Sequence, residues 1–193
     1  MDLFEKAVAF ALHAHAGQVR KKSGTPYILH PMEATTIAST LTDDREVLAA
    51  VMLHDTVEDT DTTLDDIRRE FGDRVAQLVQ GETENEYPEL TREESWKLRK
   101  EESLMRLRKN EDRSVKIMWL SDKLSNARSL LRIFVQQGDN MWKMFHQKDK
   151  RVQEWYYRAV GEALSDFSET PAYHEYIALI NIIFGGQHEV ATA

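Results

Sequence analysis

Apolar residues recur at intervals of three or four positions along nearly the whole chain, a spacing typical of helices that bury one face. Residues that end helices are scarce, because the 193 residues include only 8 Gly and 4 Pro. Nowhere do apolar and polar residues alternate over a stretch long enough to indicate a half-buried strand. The sequence therefore predicts an all-α fold.

Capping residues and helix breakers divide this pattern into separate helices. The predicted helices cover residues 3–15, 31–41, 45–54, 64–71, 73–80, 91–109, about 113–137 and 149–167, and a last one begins at Pro171. The acidic, irregular segment 81–90 predicts a loop, and the charged helix after it has few apolar positions, which predicts a polar surface arm. No repeat interrupts the pattern, so we expect residues 1–193 to form one helical bundle domain with this arm.

The composition excludes several classes of protein. With 41% hydrophobic and 30% charged residues, the chain is not of the disordered type. It has no cysteine, which excludes disulfide scaffolds, thiolate zinc sites and cysteine nucleophiles. The net charge of −8 is opposite in sign to that of a typical nucleic-acid-binding protein. Neither a signal peptide nor a membrane span is indicated, so we expect a cytoplasmic protein with no nucleic acid or membrane partner.

A basic cluster, Arg20-Lys21-Lys22, comes directly before Ser23 in a segment that contains Gly and Pro and is therefore a turn. Three cations in a turn make a candidate site for an anion. A solvated turn that binds nothing is the alternative interpretation, and the cluster alone does not separate the two.

The pair His54-Asp55 follows the apolar run of residues 47–52. His54 lies seven positions after Val47, which places it on the face of the predicted helix that packs inward. An imidazole and a carboxylate at the inner end of a buried helix are costly without a partner. For an isolated pair, a core histidine bonded to the backbone is the alternative.

Two further residues favour a functional site. His30 lies in an apolar context just before a predicted helix, and Asp122 lies within the helix that is predicted to end at residue 137. Helical spacing places Asp122 on a stripe that begins apolar and turns polar, with Val115, Met118, Asn126 and Ser129. Polar groups on such a core-facing stripe need a shared partner, which a metal ion with a polar ligand would supply.

Together these residues, His30, His54, Asp55 and Asp122, offer two imidazoles and two carboxylates. This mixed set suits Mn²⁺ or Fe²⁺, and it leaves positions open for water and substrate oxygens, with Zn²⁺ or another divalent ion as alternatives. Two carboxylates already neutralise a divalent ion. An anionic substrate would therefore need further positive groups, and the cluster at residues 20–22 is the nearest source.

The order His30, His54-Asp55 and Asp122 resembles the H…HD…D signature of the HD metal-dependent phosphohydrolase superfamily. The flanking sequence is similar to the hydrolase domain of the Rel/Spo alarmone enzymes, above all to the stand-alone small alarmone hydrolases. The similar segments are residues 18–20, 24–31, 53–60, 71–72 and 122–128, and the resemblance covers about residues 4–164.

This resemblance implies an enzyme of the stringent response that hydrolyses the 3′-pyrophosphate of guanosine tetra- or pentaphosphate, usually with Mn²⁺. The implied metal ligands are His30, His54, Asp55 and Asp122. Glu58 and Asp59 would position or activate the attacking water. The residues implied to face the nucleotide are Arg20, Lys21, Lys22, Ser23 and, at the ribose, Asn126. A chain of this length has no room for the synthetase half of the long enzymes, so we expect it to hydrolyse the alarmone and not to synthesise it.

Three departures from the family pattern bear on the substrate. Trp119 stands where family members commonly have a lysine, and the basic turn is about one residue longer than in the bacterial long enzymes. Residues 81–112 do not match the usual family sequence. They leave open an HD phosphohydrolase for another nucleotide, such as a nucleoside monophosphate or a 2′-phosphorylated dinucleotide. A non-catalytic metal-bound module that senses a nucleotide is the other alternative. Each has a small phosphorylated nucleotide as its partner. Arms such as residues 91–109 often pair with a copy of themselves, so a homo-oligomer is also open.

Overall fold

The computed structural model describes residues 2–20, 23–85 and 87–185. These residues form ten α-helices and two short 3₁₀ helices, and the one β-type pairing among them is an isolated bridge between Val19 and Pro26. The α-helices are α1 Leu3–Ala14, α2 Leu29–Ala38, α3 Arg45–Leu53, α4 Thr56–Asp59, α5 Leu64–Phe71, α6 Asp73–Glu82, α7 Trp96–Lys109, α8 Arg113–Gln137, α9 Lys150–Ala163 and α10 Pro171–Phe184. The prediction of an all-α fold is confirmed.

Side-chain caps fix most helix starts at the predicted positions. Thr63 and Asp66 form a capping box at α5, Asp112 accepts a hydrogen bond from the backbone of Ser114 at α8, and Thr170 caps α10 just before its initial proline. Because these caps satisfy backbone N–H groups that have no partner within a helix, the sequence marks these boundaries directly.

Several boundaries differ from the prediction: α2 ends at Ala38, three residues early, and α9 ends at Ala163, four residues early. α2 begins two residues before Pro31, because a proline within the first turn removes no helical hydrogen bond. α6 continues through Gly81, where a Cβ would lie 3.3 Å from methyl groups of Val115, so close packing favours glycine inside this helix. α7 begins at Trp96, five residues later than predicted. The short helix α4 is separate from α3, because the chain bends at residues 54–55.

Buried apolar side chains form a continuous cluster from Ala7 in α1 to Phe184 in α10. α3 lies at its centre: every residue from Val47 to Leu53 is buried, and the helix packs against α1, α2, α6 and α8. α8 is the longest helix, with 25 residues, and it also packs against α2 and α10. The C-terminal end of α3 therefore meets the middle of α8 inside the bundle.

The charged helix α7 packs on the bundle, which corrects the expectation of a surface arm. Trp96, Leu104 and Leu107 are buried, and the helix contacts α9. These residues form one narrow apolar stripe, whereas charged side chains cover the rest of the surface and dominate the sequence pattern. Across the described ranges, no helix has both the length and the apolar character needed to cross a membrane.

Candidate metal centre

Four polar side chains from three parts of the chain converge where α3 ends. His30 lies in the first turn of α2, His54 and Asp55 follow α3, and Asp122 lies in the middle of α8. Nε2 of His30 is 3.0 Å from Oδ1 of Asp122 and 3.4 Å from Oδ2 of Asp55. Nε2 of His54 is 3.0 Å from Oδ2 of Asp55 and 3.6 Å from Oδ1 of Asp122. The structure thus brings together the four residues that the sequence offered as metal ligands.

The bend between α3 and α4 places the adjacent residues His54 and Asp55 at the same point. The hydroxyl of Thr56 donates to the carbonyl of Leu53 at 2.7 Å, and Asp55 is the residue from which α4 starts. In a continuous helix, neighbouring side chains diverge by about 100°. The bend is what lets both side chains face the centre.

Hydrogen bonds to the two imidazoles fix the nitrogen that faces the centre. Nδ1 of His54 lies 2.7 Å from the carbonyl oxygen of Val51, which can only accept, so Nδ1 carries a proton. Nδ1 of His30 lies 2.9 Å from the hydroxyl of Ser125, and that hydroxyl donates to Glu33 at 2.8 Å. The hydroxyl therefore accepts from Nδ1 of His30. In the neutral imidazoles, both Nε2 lone pairs point toward the carboxylates, the usual state of a histidine that binds a metal.

The electrostatics of the cluster favour a cation at its centre. Burial lowers the pKa of His30, and the carboxylates compensate only in part. Burial also lowers the pKa of His54, but Asp55 and Asp122 raise it by more than burial lowers it, so the net shift is upward. Burial raises the pKa of Asp122, yet Lys123 and the imidazoles outweigh burial, and the net pKa lies well below its ordinary value. Asp122 is therefore ionised, and it stabilises a cation beside it, either a proton on His54 or a metal ion that binds the Nε2 lone pairs.

A divalent ion fits this donor set. The ligand atoms of His30, His54 and Asp122 all lie within 4.8 Å of one another, and all three residues are buried. Nε2 of His54 is buried and faces the carboxylate of Asp55 at 3.0 Å, but it makes no hydrogen bond of normal geometry in the described ranges. Asp55 lies beside both imidazoles, and its Oδ2 also accepts a hydrogen bond from Tyr27 at 2.7 Å. Imidazole nitrogens with carboxylate oxygens suit a transition-metal ion better than Ca²⁺, which prefers oxygen ligands alone.

The two carboxylates of α4, Glu58 and Asp59, have different environments. Burial raises the pKa of Glu58 to about 7, with a further contribution from Asp55. Its Oε1 accepts a hydrogen bond of 2.6 Å from the backbone N–H of Glu84. Asp59 borders an open cleft, and its Oδ2 accepts from the hydroxyl of Tyr27 at 2.7 Å. Glu58 can therefore exchange a proton near neutral pH.

Tyr27 is a site residue that the sequence pattern did not single out. Its hydroxyl lies 2.7 Å from Oδ2 of Asp55 and 2.7 Å from Oδ2 of Asp59, so it links a candidate metal ligand to a candidate catalytic residue. Burial and these carboxylates raise the pKa of Tyr27 far above its ordinary value, which keeps it a donor. Its ring stacks on His15, with centroids 4.8 Å apart. Its place three residues before His30 was the one available signal.

Of the basic turn, the structure describes Arg20 and Ser23, whereas the predicted contacts of Lys21 and Lys22 fall outside the described residues. The guanidinium of Arg20 donates to Ser129 and to the side-chain oxygen of Asn126, both at 3.0 Å. Asn126 in turn donates to Oδ1 of Asp122 at 2.6 Å. Arg20 is therefore connected to the metal centre through α8. Ser23 bonds to Thr25 at 2.7 Å, and both face the cleft.

A cleft of about 930 Å³ opens beside the centre, which is ample for a nucleotide. Its walls include two lysines that the sequence analysis did not predict, Lys100 from α7 and Lys123 from α8. Aromatic side chains line the cleft as well: Tyr27, Trp96, Phe145, Tyr156 and Tyr157. Trp119 lies instead in the core, 1% exposed, with Nζ of Lys123 4.7 Å from the centroid of its ring.

Glu82, at the end of α6, is a second missed residue of this region. It is 6% exposed, and neither carboxylate oxygen has a hydrogen-bond partner in the part of the chain that the structure describes. Its closest charged neighbour is Lys123, with Nζ 3.8 Å from Oε1. Burial and the nearby Asp122 raise the pKa of Glu82 to about 8, although Lys123 acts to lower it. The sequence signal was an acid at the end of an otherwise apolar helix face.

Comparison with known proteins bears on this arrangement. Residues 7–145 match the family model of the HD domain. A guanosine-3′,5′-bis(diphosphate) 3′-pyrophosphohydrolase of Aquifex aeolicus is 39% identical over 126 residues, which are 65% of this chain and 17% of that protein. A GTP pyrophosphokinase of Streptomyces coelicolor is 52% identical over 79 residues, 41% of this chain and 9% of that protein. The chain thus spans less than a fifth of the length of these curated relatives.

Two solved structures share the fold over most of their length. The crystal structure of lmo0812 from Listeria monocytogenes EGD-e has a TM-score of 0.70 and 31% identity, and it aligns with 81% of this chain and 99% of its own. A structure described as a metazoan ortholog of SpoT that hydrolyses ppGpp has a TM-score of 0.72 and 25% identity. This second alignment covers 94% of this chain and 95% of the other.

Proposed function

The chain belongs to the HD domain family, and from that premise we propose that it is a metal-dependent phosphohydrolase that removes the 3′-pyrophosphate of guanosine tetra- or pentaphosphate. The observation that carries this proposal is the buried cluster of His30, His54 and Asp122, whose ligand atoms face one another beside a cleft of nucleotide size. The activities of the relatives from Aquifex and from a metazoan, both on ppGpp, support the choice of substrate.

We assign the metal to His30, His54, Asp55 and Asp122, a donor set that suits Mn²⁺ or Fe²⁺, and we propose Mn²⁺ because the family resemblance implies it. A divalent ion held there would supply Lewis-acid chemistry, which would polarise a phosphoryl oxygen and lower the pKa of a nearby water. Groups of this chain that do not touch the ion would orient its ligands. Val51 and Ser125 hold the imidazoles in the orientation that presents Nε2 to the ion.

In this proposal Glu58 accepts the proton of the attacking water. Its pKa of about 7 matches the pH at which a general base is most effective. Asp59 and Tyr27 orient the water and the phosphoryl oxygens from the edge of the cleft. The water oxygen bonds to the phosphorus attached to the ribose O3′, the bond between that phosphorus and O3′ breaks, and O3′ takes up a proton. The products are pyrophosphate and GDP, or GTP from the pentaphosphate.

Arg20, Ser23 and Asn126 face the nucleoside part of the substrate in this proposal, because they line the cleft next to Asp122. The guanidinium of Arg20 lies 5.7 Å from the ring centroid of Tyr27, and Asn126 and Ser129 orient it. Arg20 is therefore held in place before a substrate arrives, which reduces the ordering that binding requires.

A second candidate function is hydrolysis of another phosphorylated nucleotide. It is favoured by the contribution of Lys100 and Trp96 to the cleft, since both come from the divergent segment 81–112. Because residues from this segment form part of the wall, they bear on which nucleotide fits.

A turnover screen separates these functions. Purified protein is treated with EDTA, reloaded with Mn²⁺, Mg²⁺ or Ca²⁺, and incubated with guanosine tetraphosphate, nucleoside monophosphates and a 2′-phosphorylated dinucleotide. We expect GDP and pyrophosphate from guanosine tetraphosphate with Mn²⁺, little activity with Ca²⁺ and none in excess chelator. Asp122→Asn is the inactive control. Faster hydrolysis of another nucleotide would replace the proposed substrate, and full activity in EDTA would reject the metal.

A further inference from the structure

Three hydrogen-bond donors that have no role in the proposed reaction line the cleft outside the basic turn. They are the ammonium groups of Lys100 on α7 and Lys123 on α8 and the hydroxyl of Tyr156 on α9. We propose that they form a pocket for a pyrophosphate group beside the metal centre. The proposal rests on the proposed function, and it assigns the pyrophosphate end of the substrate to this pocket rather than to the basic turn.

Tyr156 provides the first observation. The residue is 3% exposed and lines the cleft, yet its hydroxyl has no hydrogen-bond partner in the described ranges. A buried hydroxyl without a partner costs free energy, so such a group in a cleft wall points to a ligand atom. Nζ of Lys100 lies 4.9 Å from the ring centroid of Tyr156. Tyr156 and both lysines therefore line the same cleft, and the ammonium group of Lys100 lies over the phenol ring.

The two lysines provide the second observation. Their side chains are 17% and 13% exposed, which is unusual for lysine, and both line the cleft. Lys100 donates to Glu84, and Lys123 pairs with Asp122. An ammonium group has three N–H donors, so each lysine keeps donors for a ligand in the cleft. Aromatic rings support both side chains, because Lys100 lies over Tyr156 and Lys123 lies over Trp119.

The chemistry of these groups identifies the ligand. The remaining N–H donors of two ammonium groups, each already paired with one carboxylate, and a hydroxyl donor match the several acceptor oxygens of pyrophosphate. Lys123 follows the candidate metal ligand Asp122 in sequence and pairs with it, so the pocket adjoins the ion. Arg20 contacts Asn126 and Ser129, one and two turns further along α8. One substrate can therefore extend from the lysines, past the metal centre, to Arg20.

Direct binding of inorganic pyrophosphate tests this pocket without relying on turnover. Calorimetric titrations would compare wild type with Tyr156→Phe, which keeps the ring, and with Lys100→Met, which keeps an unbranched side chain of similar length. We expect each change to weaken binding by about tenfold, as for the loss of a charged hydrogen bond. Lys97→Met, an exposed lysine on the same helix, and Tyr173→Phe, a tyrosine outside the cleft, are the matched controls and should bind as wild type does.

Melting temperature provides a second readout. Because Tyr156→Phe removes a hydroxyl that has no partner among the residues that the structure describes, it should leave the melting temperature unchanged or raise it. Wild type that binds no pyrophosphate, or variants that bind it as tightly as wild type, would overturn the pocket. If pyrophosphate binding depends on both residues while guanosine tetraphosphate is not hydrolysed, the pocket stands and the proposed substrate fails. If guanosine tetraphosphate is hydrolysed while both variants bind pyrophosphate as wild type does, the proposed substrate stands and the pocket fails.

Discussion

At the scale of single residues, the proposed function assigns the metal ion to one set of groups and the attacking water to another. His54 is 3% exposed and its Nε2 faces Asp55 and Asp122, whereas Glu58 lies one turn further along the chain and contacts Glu84. Their substitution should therefore give opposite effects on metal content and on catalysis.

We expect His54→Ala to lower bound Mn²⁺ and the melting temperature together, because it removes a metal ligand and metal binding is linked to folding. Glu58→Gln should keep its metal and lose roughly two to four orders of magnitude in turnover, because the amide cannot accept the proton. Elemental analysis, melting curves with and without Mn²⁺ and single-turnover rates provide the measurements. Loss of metal from Glu58→Gln would make Glu58 a ligand, and normal turnover would assign the base to Asp59 or to bulk water.

The residues that sequence analysis offered for the metal share a simple signal. His30, His54, Asp55 and Asp122 are polar groups in apolar surroundings, and that contrast is visible without a structure. The partners that orient them carry no such contrast. Ser125 reaches His30 from α8, so its role depends on how α2 packs against α8, and helix packing angles cannot be read from one sequence.

At the scale of helices, the sequence predicted starts better than ends. A capping residue such as Thr63 or Asp112 marks a start with one side chain, so its signal is local. The continuation of α6 through Gly81 depends on the approach of Val115 from α8, which is a tertiary contact. The same reason applies to α7, whose apolar stripe has a partner only because α9 lies beside it.

The packing of α7 leads to a stability prediction. Leu104 is 2% exposed, whereas the neighbouring Met105 is 49% exposed. We expect Leu104→Ala to lower the free energy of unfolding by about 2–5 kcal/mol, because it leaves a cavity in the core. Met105→Ala should change it by no more than about 0.5 kcal/mol. Urea unfolding of metal-free protein measures both. If both substitutions change the free energy of unfolding by the same small amount, α7 is a surface arm and not part of the packed bundle.

At the scale of the whole molecule, Glu82 makes stability depend on pH. Its pKa is raised from 4.5 to about 8 by burial and by Asp122, so the folded protein holds a proton that the unfolded chain releases. Stability is therefore highest below about pH 4.5 for this group, falls as the pH rises, and reaches its full loss above about pH 8. The direction is opposite to that of a carboxylate in an ion pair.

We expect Glu82→Gln, which is uncharged at every pH, to exceed the wild type in stability by roughly 1–3 kcal/mol at high pH and to match it near pH 5. Urea unfolding in EDTA at a series of pH values provides the test, because a bound ion would alter the charge next to Glu82. Glu84→Gln, in the paired acid two residues on, is the control and should not gain stability at high pH. A gain for Glu82→Gln that is equal at all pH values would show that its charge has no part in the effect.

The continuous helix α8, with 25 residues, fixes the distances between the side chains that it carries along the cleft. Asp122, Asn126 and Ser129 lie on one face of a single rigid helix, and a rise of about 1.5 Å per residue separates the first from the last by about 10 Å. In the proposed function, the distance between the reacting phosphorus and the part of the substrate near Asn126 and Ser129 is therefore set by helix geometry. A change in the length of the turn around Arg20 can alter which base is accepted, while the reacting bond keeps its position relative to the metal centre. Selectivity and chemistry can diverge separately in such a molecule.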